Sequence, residues 1–214
     1  MDAHQDEFSN PFGMDEDCRN CPTLVDCRDR VVHGYGDVGA EFLFVGEAPT
    51  AGADRTGVPF TGDAAGRRLQ RALGELGFSR SPPDAEEPDL QNCFLTYLAR
   101  CREPTRAPTD EELANCEPYL NAEVRMINPE IIVPVGQRAL EALAIEYTTR
   151  APESFDVDAE HATTIRGRGF ELVPMRGLEG DDAVVEAAVD EWLEHMRENV
   201  LSRDYRQTKG RRGR

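Results

Sequence analysis

The chain has 214 residues, with 41 Asp and Glu against 24 Lys and Arg, and a formal net charge of −17. That is one ordinary domain with room for a core. Hydrophobic content is 39% and mean hydropathy −0.56, and no apolar run is longer than a strand, which excludes a membrane-spanning helix. All the basic residues but Lys209 are Arg, so acid replaces Lys across the surface. This is the composition of a protein adapted to concentrated salt, where self-repulsion is screened. At first sight −17 argues against a nucleic-acid partner. The first fifteen residues are polar and acidic, unlike a secretory leader. Six Cys without such a leader point to a reducing, cytoplasmic compartment and to metal or cluster binding rather than disulfides.

In chain order, residues 1–17 are acidic and aperiodic and read as a flexible arm. Residues 18–200 form one domain, and residues 201–214 a basic tail whose last ten residues hold five cations and no acid. The tail is either a solubility appendage or a phosphate-contacting arm. The first strand, 41–45, is a doubly buried run that enters a Gly-rich loop reaching Gly62. Asp63 caps a helix with Leu69, Leu73 and Leu76 on one face and Gly77 at its stop. After a Pro- and acid-rich loop comes a second strand, 93–98. Thr109 and Glu112 then form a capping box for a helix that Pro118 must bend or restart. A third strand at 130–135, a helix at 137–145, a fourth strand at 170–174 and a last helix from Asp181 complete the order. Strands alternating with helices predict an α/β fold, a parallel sheet between two helical layers.

Cys18 and Cys21 form a C-x2-C pair, and Cys101 and Cys116 a second pair with fourteen residues between its members. Four thiolates can hold zinc or an iron–sulfur cluster, and spacing alone does not decide. Zinc usually takes two short knuckles, whereas the second pair straddles a loop and the start of a helix, which tilts the reading toward a cluster. Cys27 and Cys93 read as spectators, Cys93 as core.

Three segments together resemble the iron–sulfur uracil-DNA glycosylases of the family 4 type: Cys18 to Cys21, the loop from Gly46-Glu-Ala-Pro49 to Asp54-Arg-Thr-Gly57-Val-Pro59-Phe60-Thr-Gly62, and Cys101-Arg-x-Pro104 with Cys116-x-Pro118-Tyr119-Leu120. The resemblance implies a three-layer α/β/α sandwich with a four-stranded parallel sheet, and a structural [4Fe-4S] cluster on Cys18, Cys21, Cys101 and Cys116. It implies a monomer that acts on DNA in base excision repair. Gly46, Ala48 and Phe60 would hold a base extruded from DNA, which costs a few kcal/mol that stacking, about 1–3 kcal/mol per base, helps to recover. Glu47 would orient water or stabilise the sugar cation, with Asp54 as the second carboxylate.

Two family features are replaced. Tyr97 stands where relatives place a pyrimidine-reading Asn, so it is the base-edge candidate, with a bulkier group and a single hydroxyl. The fourth strand is followed by Met175-Arg176-Gly177-Leu178 in place of a His-Pro-Ser loop. Arg176 would supply charge to the leaving base, and Met175 or Leu178 an apolar wedge. His161 could fold back toward this loop, although a surface role is the plainer reading. Thr50 stands where Gly is usual. Arg102, Arg106 and Arg176 are the DNA-contact candidates. A catalytically altered or inactive iron–sulfur DNA-binding protein on the same fold is the alternative. In concentrated salt attraction to phosphates is largely lost, so −17 describes the solvent and leaves DNA binding to stacking and local Arg.

Overall fold

The computed structural model describes residues 8–151 and 154–203. The elements are α1 (Pro22–Val25), β1 (Tyr35–Gly36), β2 (Phe42–Gly46), α2 (Ala51–Thr56), α3 (Ala64–Glu75), β3 (Cys93–Tyr97), α4 (Asp110–Ile127), β4 (Ile131–Pro134), α5 (Gln137–Tyr147), α6 (Val157–Glu160), β5 (Ile165–Arg166), β6 (Glu171–Leu172) and α7 (Asp182–His195), which continues into a wider turn, Met196–Val200. The sheet order is β1-β3-β2-β4-β6-β5. The inner strands β3, β2, β4 and β6 are parallel, and the two edge strands antiparallel. The four strands expected from sequence are therefore the parallel core. The two edge strands are only two residues each, too short to leave a periodic signal.

Central strand β2 shows why the layers form. Phe42 and Phe44 pack on one face with Leu69 and Leu73 of α3 and Trp192 of α7. Leu43 and Val45 pack on the other with Leu120 of α4 and Leu140 of α5. Each face is buried because a strand alternates its side chains and helices cover both sides. The expected caps are present: Asp63 accepts from Gly66 N at 2.8 Å, Thr109 and Glu112 make the reciprocal capping box, and Asp181 accepts from Ala183 and Val184. Helix α4 runs unbroken through Pro118, where a bend or restart was expected. Flanking turns carry it past the one missing N–H. Among the described residues no helix is long and apolar enough to cross a membrane.

Residues 1–7 and the tail from residue 204 onward lie outside the described residues. The remainder of the expected flexible arm, residues 8–17, is laid on the sheet: Gly36 N donates to Phe8 O, Asn10 N to Gly34 O, and Phe12 and Met14 are buried. Phe12 stacks at 5.8 Å on Phe94 of β3. Two apolar side chains among acids give no periodic pattern, so sequence reads this segment as loose.

A buried polar network fixes the end of β3. Arg100 and Glu123 are each about 1% exposed and paired at 2.6 Å. Thr96 donates to Glu123 at 2.7 Å and accepts from Arg100, and Gly34 N donates to the other Glu123 oxygen. The network joins β3, α4, the turn that carries Cys101 and the segment before β1. Removing one partner leaves the other charge buried, so Arg100→Met or Glu123→Gln should lower stability by about 3–5 kcal/mol in equilibrium denaturation. The double variant Arg100→Met/Glu123→Leu should lose less than the two single changes together.

Candidate active site and thiol cluster

Strand β2 lies between β3 and β4, which follow it in sequence on opposite sides, and a parallel sheet opens a crevice at the strand carboxyl ends where its order switches direction. A cleft of about 760 Å³ occupies that place. Residues at or just beyond the carboxyl end of each parallel strand line it: Gly46 to Thr50 at β2, Cys101 to Glu103 after β3, Val135 and Gly136 after β4, and Gly177 to Gly180 after β6. The loop read as Gly-rich contains the short helix α2, and Thr50 caps it by accepting from Ala53 N.

Phe60 and Tyr97 form the cleft floor. Gly46 pairs with Tyr97 across the β2–β3 ladder, and a Cβ at position 46 would stand 2.8 Å from the Phe60 ring and 2.9 Å from the Tyr97 ring. The two rings lie 4.7 Å apart at 36°. Phe60 is in the left-handed region at φ +56°. It is held there at both ends of its peptide: its N–H donates to the Tyr97 hydroxyl at 2.8 Å, and its carbonyl accepts from Gln70 at 3.3 Å. Phe60 is only 6% exposed and belongs to the core while lining the cleft. Tyr97, 1% exposed, spends its hydroxyl oxygen on the Phe60 backbone.

Glu47 and Ala48 line the cleft, both half-buried. The Glu47 carboxylate has no hydrogen-bond partner among the described residues. Burial raises its pKa above the ordinary 4.5, Arg138 opposes the shift and Glu141 adds to it. Arg102 lines the cleft and makes no ion pair among the described residues, whereas Arg106, also on the wall, is held by Glu112 through two contacts of 2.7 Å.

Other candidates lie elsewhere. Asp54 is buried, accepts from Asp29 N at 3.1 Å and Arg30 N at 3.3 Å, and does not line the cleft. Its carboxylate ties down the 29–30 turn. Arg176 also lies outside the lining and pairs with Asp158 at 2.7 Å. Met175 is 1% exposed and cannot reach out as a wedge; Leu178, on the lining, is 5% exposed.

Sequence reasoning missed Arg68, which lines the cleft, donates to Leu178 O at 2.8 Å and pairs with Asp182 and Glu186. It clamps the loop after β6 from a position that reads as an ordinary helix residue. His161, placed on the surface by sequence, is buried. Its Nδ1 accepts from Arg176 N at 3.0 Å and its Nε2 contacts Ala188 O at 2.9 Å. It therefore holds the same loop from behind the cleft as a neutral ring, and burial lowers its pKa.

Cys18, Cys21, Cys101 and Cys116 are buried, and three of their sulfurs accept hydrogen bonds. Asn115 donates to Cys21 at 3.5 Å, Arg28 to Cys101 at 3.1 Å and Arg100 N to Cys116 at 3.5 Å. Burial pushes the Cys101 thiol up to about 11, and the Arg28 contact opposes the rise. Among the described residues no three His, Cys, Asp or Glu side chains converge on a point that could hold one ion. Cys27 donates to Thr23 O and Arg102 O, while Cys93 is fully buried in the core.

The sequence model of the uracil DNA glycosylase superfamily matches residues 33–184. The chain belongs to that superfamily. It is similar to the Type-5 uracil-DNA glycosylase of Thermus thermophilus, 38% identical over 154 residues that cover 62% of this chain and 70% of the relative. The Type-4 uracil-DNA glycosylase of Thermotoga maritima is 34% identical over 153 residues, 71% and 67% of the two chains. That of Saccharolobus solfataricus is 37% identical over 128 residues, 59% and 54%. Relatives of both numbered types thus match a member of the superfamily whose cleft floor is a Phe–Tyr pair. Tyr97→Phe deletes the acceptor of a buried N–H and should lower stability by about 1–3 kcal/mol in denaturant titration; an unchanged midpoint would show that Phe60 is held by other contacts.

Proposed function

We propose that the chain is a DNA glycosylase that hydrolyses the N-glycosidic bond of uracil, or of another damaged base, flipped out of DNA into the cleft. The observation that carries this reading is Glu47, a half-buried carboxylate without a hydrogen-bond partner, raised in pKa by burial and lining the same cleft as Phe60 and Arg102. The alternative of an inactive DNA-binding protein finds no support in the relatives, whose names are those of enzymes.

The extruded base would stack on Phe60, with Tyr97 setting that ring and the backbone of Gly46 and Ala48 facing the base edge. As the glycosidic bond breaks, its electron pair leaves with the base nitrogen and the sugar becomes cationic. Glu47 would stabilise that cation and orient the water that adds to the sugar carbon, while backbone N–H groups of the 46–50 loop take up charge on the leaving base. Arg102 would meet a phosphate at the cleft mouth, with Arg106 a weaker contact because Glu112 already neutralises it. Cys18, Cys21, Cys101 and Cys116 would hold a [4Fe-4S] cluster, with zinc as the rival occupant. When bound, the cluster supplies a cross-link between the α1 region, the loop after β3 and α4. The acidic surface is an adaptation to concentrated salt.

Purified protein in molar salt should create abasic sites in single- or double-stranded uracil-containing oligonucleotides. Glu47→Gln should slow single-turnover cleavage by about 10²–10⁴-fold with DNA binding little changed. Glu47 acts ionised and its pKa is raised, so the wild-type rate should fall with acid already above pH 4.5, and the variant should lack that limb. Absence of cleavage on uracil, hypoxanthine and xanthine substrates by the wild-type protein would overturn the proposal.

A further inference from the structure

Three hydrogen-bond donors meet the four thiols, and two of them are neutral: the Asn115 amide and the Arg100 backbone N–H. The third is the guanidinium of Arg28. One of its terminal nitrogens lies 3.1 Å from Cys101 Sγ and the other donates to Cys18 O at 2.6 Å, so the fork bridges the first and third thiol residues. In a chain with 41 acids, Arg28 makes no ion pair among the described residues. Arg100 is also cationic, but its guanidinium is committed to Glu123 and Thr96. The charge of Arg28 is therefore shared between the Cys101 sulfur and the Cys18 carbonyl, with no carboxylate among the described residues to neutralise it.

We infer that Arg28 sets the reduction potential of the cluster that these thiols hold. This rests on the four-thiolate reading above. Four thiolates outweigh the charge of an iron–sulfur core, and a one-electron reduction adds a further negative charge without moving a proton. A fixed cation beside a ligand sulfur stabilises the reduced state more than the oxidised one, and a hydrogen bond to that sulfur acts in the same direction. Arg28 thus raises the potential, and the neutral donors contribute less per contact.

The test uses the full-length protein without DNA, with the electron supplied by an electrode and the visible absorbance followed against potential. Arg28→Gln should bind iron in the wild-type amount and show a lower midpoint potential, and Arg28→Lys should stay near wild type. Because Lys209 is the only lysine of the chain, the charge at position 28 can also be removed after folding, by acetylating the Arg28→Lys protein. Acetylation should lower the midpoint of that variant and leave acetylated wild type unchanged, a comparison that holds even where Arg28→Gln fails to fold. Iron present in all forms with one common midpoint would overturn the role of Arg28 and spare the cluster reading. Wild-type protein without iron or visible absorbance would overturn both.

Discussion

The site depends on a buried charge pair that lies beneath it. Arg100 and Glu123 have almost no contact with solvent, and such a pair persists only when most of the remaining donors and acceptors are aimed at partners. Thr96 and Gly34 N complete most of that shell. The backbone of Arg100 is meanwhile committed on both sides, its carbonyl accepting from Val32 N at 2.7 Å and its N–H donating to Cys116 Sγ. One residue thus fixes the register between the end of β3, the thiol cluster and helix α4. Tyr97 precedes it by three residues and Cys101 follows at once, so the cleft floor and a thiol wall are set by the same few peptides.

A second constraint is steric. Position 46 carries no side chain, and the Phe60 and Tyr97 rings fill the space a Cβ would need. Gly46 therefore does more than make a turn: it allows two aromatic rings to close over a strand end, and the Tyr97 hydroxyl then stabilises a left-handed Phe60 that would otherwise be strained. The ring is held by hydrogen bonds at both faces of its peptide, which makes it a rigid stacking surface.

The parallel core was legible because its strands are apolar runs broken by strong caps. Asp63, Thr109 with Glu112, and Asp181 each mark a helix start through a local pattern. The roles of the ionisable residues were less legible, since 41 acids make each carboxylate look like surface. Asp54 and Glu47 sit seven residues apart in one loop, yet one is consumed by backbone N–H groups and the other is left open to the cleft. Only tertiary contacts separate them. The same holds for His161, whose partners Arg176 and Ala188 are distant in sequence, and for Arg28, whose approach to Cys101 spans 73 residues.

The central claim is that an extruded base lies on Phe60 with Glu47 beside the sugar. The most direct measurement is a crystal structure of the protein with an oligonucleotide carrying a 2′-fluorinated deoxyuridine, whose glycosidic bond resists cleavage. The account predicts the uracil ring stacked on Phe60, its sugar facing Glu47 through at most one water, and a phosphate near Arg102. A uracil left stacked in the DNA helix, or seated away from the Phe60–Tyr97 floor, would contradict it.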